Sequence, residues 1–192
     1  MISAVVLATE RASQTATSSL ALTAKPLRVI LENTLASKVD EVICVTGDLA
    51  AARREIEFTS ERLFWCVNPA TAQGRSALVI CGLWASNPQS DGVMLLASDQ
   101  PLIGKELIQA LIERFEKSSA WIVAPSFTDQ LHGPVLFRRN LFPELLRLSG
   151  DDMGLRLLKK YAENTAVVEW QDEGPRLNRE ARKSSAHLKE RV

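Results

Sequence analysis

An aspartate follows the apolar run VMLLA at residues 93 to 97, within the segment ASDQPL at 97 to 102. A carboxylate at Asp99, two residues before Pro101, could hold Mg²⁺ against phosphate oxygens, because hard cations prefer oxygen ligands. Composition alone favours a plainer interpretation, in which Asp99 caps a helix that starts near Gly104 or closes a turn. Both interpretations place Asp99 at the carboxyl end of a strand, where ligands bind in open α/β sheets.

The loop after the first apolar strand is a second candidate site. Residues 4 to 19 read AVVLATERASQTATSS, an apolar strand that enters a polar loop without a glycine. In α/β proteins this turn commonly holds phosphate through backbone N–H groups and the following helix N-terminus. Glycine usually allows that close approach, but Thr9, Glu10 and Arg11 stand here instead. The position indicates a nucleotide site, whereas the residue types do not.

Three other groups of residues favour structural roles over catalytic ones. Asp151 and Asp152 precede a helical run, so capping of that helix is preferred over acid/base catalysis. Three cysteines lie in apolar runs without a C-x-x-C spacing, and we expect reduced core thiols at Cys44, Cys66 and Cys81. Core packing is expected to explain most of the tryptophans, which are Trp65, Trp84, Trp121 and Trp170.

The elements that must position these residues alternate between strand-length apolar runs and longer helical runs. This alternation predicts an α/β fold with a mostly parallel sheet covered by helices. The predicted strands are SAVVLA (3–8), EVICVT (41–46), LFWCV (63–67), VMLLA (93–97), WIVAP (121–125), PVLF (134–137) and AVVEW (166–170). The predicted helices are 26–37, the stretch after 47–56, 75–86, 105–117, 140–148 and 151–162. In the helix at 105–117, Leu107, Leu111, Ile112 and Phe115 lie on one face, as in an amphipathic helix.

Length and charge bound the function further. A chain of 192 residues fits one domain, so we expect a single domain over 1–192, with a charged tail at 176–192 that is helical or partly disordered. The 23 basic and 23 acidic residues cancel, which argues against nucleic acid or an anionic membrane as a partner. No apolar run approaches the roughly 20 residues of a membrane span, and a soluble, cytoplasmic protein is expected.

Several segments together resemble the MobA/MocA-like nucleotidyltransferase family, whose members attach a nucleotide to molybdopterin. The family opens with a strand and L-A-A-G-x-S-x-R-M-G-x-x-K, and AVVLA at 4–8 keeps that strand and its register. The other matches are PLRVILENTLASKVDEVICVTGD (26–48), NPATAQGRSALVICGL (68–83), ASDQPLIGKELIQAL (97–111) and GPVLFRRNLFPELLRLSGDDMGLRLL (133–158). Their order and spacing cover nearly the whole chain.

The resemblance implies a Rossmann-like three-layer α/β/α sandwich of the nucleotide-diphospho-sugar transferase type. It further implies transfer of CMP or GMP from CTP or GTP to molybdopterin with Mg²⁺, and a molybdoenzyme of the xanthine dehydrogenase type as a possible partner. Asp99 would be the catalytic and metal-binding residue, with Glu180 as a second metal ligand and Asn178 beside it. The implied nucleotide-binding residues are Ala8, Thr9, Glu10, Arg11, Asn68, Gly74, Ser76 and Gln100, and the implied acceptor-binding residues are His132 and Gly133.

The departures from the family pattern are concentrated in the first loop. Aligned without gaps, Glu10, Gln14, Ala16 and Ser19 replace the family glycine, arginine, second glycine and lysine. One well-placed donor to a developing negative charge is worth roughly 2.7–4 kcal/mol, so these losses favour an alternative, a non-catalytic relative that binds a pterin or a protein partner. A sugar-nucleotide or methylerythritol cytidylyltransferase of the same fold is a third possibility.

His132, Asn178 and Glu180 also have plainer explanations. The family G-H-P-V-L-F reads H-G-P-V-L-F here, which moves the histidine by one residue, and His132 could equally be a partly exposed loop residue. Asn178 and Glu180 could instead be the cap and first turn of a terminal helix, where an acidic side chain suits the helix dipole.

Overall fold

A computed structural model describes residues 1–8, 26–56, 58–69, 74–100, 103–127 and 130–170. Eight strands and six α-helices are formed by these residues. The strands are β1 (Ile2–Ala8), β2 (Glu41–Thr46), β3 (Leu63–Val67), β4 (Gly92–Ala97), β5 (Ile122–Phe127), β6 (Gln130–Leu131), β7 (Val135–Arg138) and β8 (Thr165–Glu169). The helices are α1 (Pro26–Leu35), α2 (Leu49–Glu55), α3 (Arg75–Ala85), α4 (Lys105–Glu116), α5 (Phe142–Leu145) and α6 (Leu155–Lys160).

The strands form one mixed sheet in the order β3-β2-β1-β4-β7-β5-β6, with β8 paired to β5. The pairs β3/β2, β2/β1, β1/β4 and β5/β8 are parallel, whereas β7 runs antiparallel to both β4 and β5. In this register Ala8 lies opposite Thr46 and Leu7 opposite Ala97, so β1, β2 and β4 end at the same edge. The predicted α/β class with a mostly parallel sheet is confirmed.

Apolar side chains cover both faces of the sheet, which produces three layers. On one face, Ile30 and Leu31 of α1 pack with the strands together with the apolar side of α4. The side chains expected on that side of α4, Leu107, Leu111, Ile112 and Phe115, are all buried. On the opposite face, Leu78, Val79 and Leu83 of α3 pack against β1 and β2. Strand burial on both sides explains why the central strands are nearly continuous apolar runs.

The bounds of several elements differ from the sequence-based expectation. The expected helix over 151–162 begins only at Leu155, because Gly154 precedes it with a left-handed φ of 86°. The expected helix over 140–148 is a 3₁₀ turn at Arg139–Leu141 followed by the short α5. The two-residue strand β6 was not predicted, since two exposed residues carry no alternating pattern.

The cysteines correct one expectation for the core, whereas the expectation that most tryptophans pack there is confirmed by Trp65, Trp121 and Trp170. Cys66 on β3 and Cys81 on α3 form a disulfide with Cα atoms 7.1 Å apart, so the expectation of three reduced thiols is wrong for this pair. Cys44 is buried and is not part of a disulfide. Trp84 on α3 is 75% exposed and therefore does not pack in the core.

Two further expectations concern the chain as a whole. The single domain over 1–192 stays a prediction, and its charged tail at 176–192 lies outside the described residues. In the part of the chain that the structure describes, no helix has the length and apolar character needed to cross a bilayer.

Candidate functional site

The carboxyl ends of β1 and β4 bring the first two candidate segments side by side. The backbone N–H of Ser98 donates to the carbonyl of Leu7 over 3.0 Å, which continues the β1/β4 pairing one residue beyond β4. The chain then turns, and the N–H of Gln100 donates to the carbonyl of Ala97 over 3.1 Å. Asp99 stands within this turn, at the edge where Ala8 ends β1. The strand register therefore places Asp99 where open α/β sheets bind ligands.

The N-terminus of α3 lies at the same edge and is held there by β3. Asn68 follows β3, and its side-chain amide donates to the carbonyl of Ala77 over 2.8 Å. Gly74 precedes α3 with φ +92°, a backbone conformation that L side chains rarely adopt. This glycine also permits close packing, since a β-carbon on it would stand 2.6 Å from the carbonyl carbon of Gly150.

The first N–H groups of α3 are bonded to the segment at 150–151. The N–H of Ser76 donates to the carbonyl of Gly150 over 3.0 Å, and the N–H of Arg75 donates to Asp151 Oδ1 over 3.3 Å. A helix N-terminus attracts anions because its first N–H groups lack partners within the helix. Here the chain supplies its own carbonyl oxygen and carboxylate to that position, so Asp151 caps α3.

The side chain of Arg75 crosses from α3 to Asp99. Its Nη2 lies 3.1 Å from Asp99 Oδ2, and the two side chains are only 19% and 21% exposed. The Nη1 of Arg75 lies 3.5 Å from Met153 Sδ. At an effective dielectric constant near 20, unit charges about 4 Å apart attract by roughly 4 kcal/mol, part of which offsets desolvation. The carboxylate of Asp99 is therefore already neutralised by a cation of the chain.

A small pocket opens beside this ion pair. Its volume is about 60 Å³, and its wall combines aliphatic side chains with the polar groups of Arg75 and Gln100. The other residues that line it are Leu95, Ala97, Gly133, Val135, Met153 and Leu155. Small-molecule sites have the same mixture of apolar and polar wall groups, but this pocket is smaller than the roughly 300–1,000 Å³ of a site that encloses a whole ligand, so it could take only part of one.

The structure brings some of the predicted site residues together. Asp99, Gln100, Gly74 and Ser76 lie at the sheet edge near α3, and Gly133 lines the pocket. Asn68 also lies there, but its amide group holds the first turn of α3. The plainer interpretation of Asp99 had two forms: its carboxylate pairs with Arg75 and does not cap α4, whereas Asp99 does lie in the turn that follows β4.

Other predicted residues are elsewhere or lie outside the description. The ring of His132 packs edge-on against Phe127 with centroids 5.5 Å apart, and the backbone N–H of His132 donates to the carbonyl of Pro125. His132 is not among the residues that line the pocket. The remaining candidates, Thr9, Glu10, Arg11, Asn178 and Glu180, lie outside the described residues.

The described residues at Asp99 do not fit a resident divalent cation, and Glu180, the expected second ligand, lies outside the described residues. Mg²⁺ in proteins usually takes one or two carboxylates, with substrate phosphates and water completing an octahedral shell. Across the described ranges, no three His, Cys, Asp or Glu side chains gather into a group that could hold a metal. The carboxylate that was expected to bind Mg²⁺ instead faces a guanidinium group.

Sequence reasoning missed three residues of the site, namely Arg75, Asp151 and Met153. One signal was available for Arg75: a cation in the first turn of a helix is disfavoured by the helix dipole, so its presence calls for an acidic partner. Asp151 was predicted to cap the helix that follows it, whereas it caps α3, which lies 76 residues earlier. Met153 carried no signal beyond its apolar character.

Solved structures share this fold at low sequence identity. Rv0371c from Mycobacterium tuberculosis superposes with a TM-score of 0.73 at 22% identity, covering 89% of this chain and 88% of that chain. A structure of Rv0371c in complex with manganese gives a TM-score of 0.66 at 23% identity, covering 88% and 89%. The 4-diphosphocytidyl-2C-methyl-D-erythritol synthase from Anaerococcus prevotii gives 0.69 at 18% identity, covering 91% and 88%.

The sequence comparisons give the family. No curated protein sequence matches the chain significantly. The model of the MobA-like NTP transferase domain matches residues 4–166, a range that begins within β1, ends within β8 and includes the described residues around Asp99. The expected three-layer fold and the resemblance drawn from the sequence motifs are thereby confirmed. The chain belongs to the MobA-like NTP transferase domain family.

Proposed function

We propose that the chain binds CTP or GTP and transfers CMP or GMP to molybdopterin, with release of pyrophosphate. The observation that carries this proposal is the Arg75–Asp99 ion pair beside a mostly apolar pocket, at the carboxyl edge of β1 and β4. An oxygen of the acceptor would attack the α-phosphorus of the nucleotide while the bond to the bridging oxygen breaks. Positioning and charge neutralisation are the main contributions that a protein makes to such phosphoryl chemistry.

Residues of the site fit separate parts of this task. Arg75 supplies N–H donors and a permanent positive charge, which suit phosphate oxygens. Asp99 holds that guanidinium in place, and the aliphatic wall with Gln100 and Gly133 suits part of a ring-containing acceptor. Mg²⁺ belongs to the resemblance, but the described residues do not fit it, and the proposed step uses the side chains of the protein alone.

The choice of molybdopterin as acceptor rests on the sequence segments G-P-V-L-F and S-G-D-D-M-G-L-R. One of the structures that share the fold is a methylerythritol-type synthase, so the fold by itself supports nucleotidyl transfer to several acceptors. Delivery to a molybdoenzyme of the xanthine dehydrogenase type and a cytoplasmic location belong to the same proposal.

A second candidate function is favoured because the polar and charged groups of the site are already paired with one another. Asp151 and Gly150 accept the first N–H groups of α3, and Arg75 already has an acidic partner in Asp99. A protein with these contacts could bind a pterin or a molybdoenzyme without processing a triphosphate. This candidate is a non-catalytic relative that acts in molybdoenzyme maturation.

The two candidates are separated by incubating the purified chain with molybdopterin and CTP, GTP or ATP, with Mg²⁺ or with EDTA. Nucleotide–pterin product is measured by mass spectrometry, pyrophosphate by an enzymatic assay, and nucleotide affinity by calorimetry. The transferase predicts product from CTP or GTP. Pterin binding without triphosphate binding or product would replace the transferase by the non-catalytic relative.

A pocket variant tests the assignment of the acceptor site. Leu155 lines the pocket and is 48% exposed, so Leu155→Trp can fill the pocket without overpacking the core. We expect an acceptor KM at least about tenfold higher, with unchanged triphosphate affinity. Val167→Trp, on the partly exposed strand β8, is the matched control. An acceptor KM that is the same in Leu155→Trp and wild type would remove the acceptor from this pocket.

A further inference from the structure

We infer that Arg75 takes the place of a divalent cation at Asp99. The guanidinium is the resident positive charge of the site, and Asp99 is the residue that positions it, not a metal ligand. This inference concerns the same site as the proposed function. It rests on the proposed function only for the identity of the anion that the guanidinium would bind, a nucleoside triphosphate. The contact geometry, the fixed position of Arg75 and the competition between cations support it.

The contact geometry leaves little room for a metal ion on the same oxygen. Asp99 Oδ2 lies 3.1 Å from Nη2 of Arg75, and both side chains are about four-fifths buried. Mg²⁺ binds a carboxylate oxygen at about 2.0–2.1 Å and demands a nearly octahedral shell of oxygen atoms. A guanidinium nitrogen cannot be a member of that shell, because protonated nitrogen has no lone pair to donate. Metal binding by Oδ2 therefore requires Arg75 to leave.

The position of Arg75 is fixed from several sides. Its backbone N–H donates to Asp151, and its Nη1 contacts the sulfur of Met153. Gly74 packs against Gly150 just before it, so the start of α3 cannot shift toward that segment. The helix dipole disfavours a cation in the first turn, and the carboxylates of Asp99 and Asp151 offset this cost. The guanidinium is thus held where the sequence pattern of the family led us to expect Mg²⁺.

Charge competition acts in the same direction. A divalent cation beside a guanidinium is repelled at short range, and burial strengthens this repulsion by excluding water. Arginine does not lose its proton at any pH at which proteins are studied, so Arg75 cannot make way by becoming neutral. In the described part of the chain no other acidic cluster offers a metal a second position. Removing the charge of Arg75 should therefore convert Asp99 into a metal ligand.

The test is Mn²⁺ binding to the full chain, followed by electron paramagnetic resonance of free Mn²⁺ and by calorimetry, without nucleotide. We compare the wild type with Asp99→Asn, Arg75→Met, Arg75→Lys and the double variant Arg75→Met with Asp99→Asn. Arg75→Met should gain a Mn²⁺ site at least about tenfold tighter than any in the wild type. That gain should be absent in the double variant and in Arg75→Lys, which keeps the positive charge.

Asp99→Asn keeps the test decisive if Arg75→Met does not fold, as judged by circular dichroism and thermal melting. In the inferred arrangement Asp99→Asn leaves Mn²⁺ binding of the chain unchanged. A tenfold loss of Mn²⁺ affinity in Asp99→Asn, or equal affinities in the wild type and a folded Arg75→Met, would overturn the inference. Because no nucleotide is present, the outcome is independent of whether the chain binds triphosphates, which calorimetry with CTP and GTP decides separately.

Discussion

A β-carbon placed on Gly74 would stand 2.6 Å from the carbonyl carbon of Gly150, so these two glycines bring the start of α3 against the segment that caps it. Contacts this close to backbone atoms cannot be relieved by rotating a side chain. The hydrogen bond from Ser76 to Gly150 and the one from Arg75 to Asp151 both depend on this approach.

Gly74→Ala should destabilise the protein. The positive φ of 92° alone costs roughly 1–3 kcal/mol for a residue with a β-carbon, and the clash with Gly150 adds to it. Urea unfolding followed by circular dichroism measures the loss. Gly104→Ala is the matched control, because Gly104 also precedes a helix but has a negative φ of −77°, and its close neighbour is the end of a flexible Glu106 side chain. Equal stability losses in both variants would contradict the close packing at Gly74.

Asn68→Asp should also lower the free energy of unfolding, by about 1–3 kcal/mol. The amide of Asn68 donates to the carbonyl of Ala77, whereas a carboxylate there can only accept and would face another acceptor. Asn140→Asp, at an exposed position of the 3₁₀ turn, makes the same chemical change where we expect less than about 0.5 kcal/mol. If Asn68→Asp is as stable as wild type but binds nucleotide more weakly, Asn68 contacts the ligand and does not anchor α3.

Gly82→Ala should reveal how tightly α3 packs on the sheet. A β-carbon on Gly82 would meet Val45 Cγ2 at 3.0 Å and the side chain of Val5 even more closely. We expect overpacking of about 1–3 kcal/mol for Gly82→Ala. Val5→Ala opens space at this contact, so a double-mutant cycle of the two changes should show favourable coupling above 0.5 kcal/mol. Strict additivity would mean that the helix shifts away without resistance from Val5.

The ion pair on the surface of α5 and α6 predicts a pH dependence of stability. Lys160 and the Tyr161 hydroxyl donate to Glu144 over 2.7 and 2.9 Å, and these bonds hold the pKa of the Glu144 carboxyl below its usual range. A carboxyl group whose pKa is lower in the folded state contributes stability above its unfolded pKa, near 4.3, and that contribution disappears as pH falls through the folded pKa.

Glu144→Gln should therefore be less stable than wild type at pH 7, with the difference shrinking toward pH 3. On the alkaline side, the bond to Glu144 raises the pKa of Lys160, so its contribution is present at neutral pH and is lost as pH rises through the raised value. Urea unfolding at a series of pH values measures both limbs. Glu163→Gln, on the exposed 3₁₀ turn that follows α6, should show a flatter difference. Parallel pH curves for wild type and Glu144→Gln would contradict the prediction.

The sheet could be predicted from the sequence because its strands carry local signals. The predicted bounds of β2 and β3, 41–46 and 63–67, match the structure, and the bounds of β1 and β4 differ by one residue at their starts. What the sequence could not give is the place of β7 between β4 and β5, because strand pairing over such a separation leaves no periodic pattern. The same lack of a local signal explains Asp151. The sequence predicted that Asp151 caps the helix that follows it, whereas the helix that it caps is α3, 76 residues earlier.

The site was predictable in position but not in its pairing. Strand ends and a ligand edge follow from topology, which placed Asp99 and Gly133 near the pocket. The partner of Asp99 is Arg75, which no local rule connects to it, since they lie 24 residues apart on different elements. The acceptor role of His132 stays a prediction; its ring packs against Phe127 across the turn, and His132 does not line the pocket.

The placement of β7 has a consequence for how the protein is built. Strands β3, β2, β1 and β4 form one half of the sheet, β5 and β8 belong to the other, and β7 hydrogen-bonds to β4 and to β5. The two halves of the sheet are therefore joined only when β7 pairs with β4 and β5, both of which precede it in the chain. Pairing between strands that are distant in sequence is a non-local step of the kind that slows folding. Val135 is both the first residue of β7 and part of the pocket wall. The pocket wall is therefore complete only when β7 has paired with both β4 and β5.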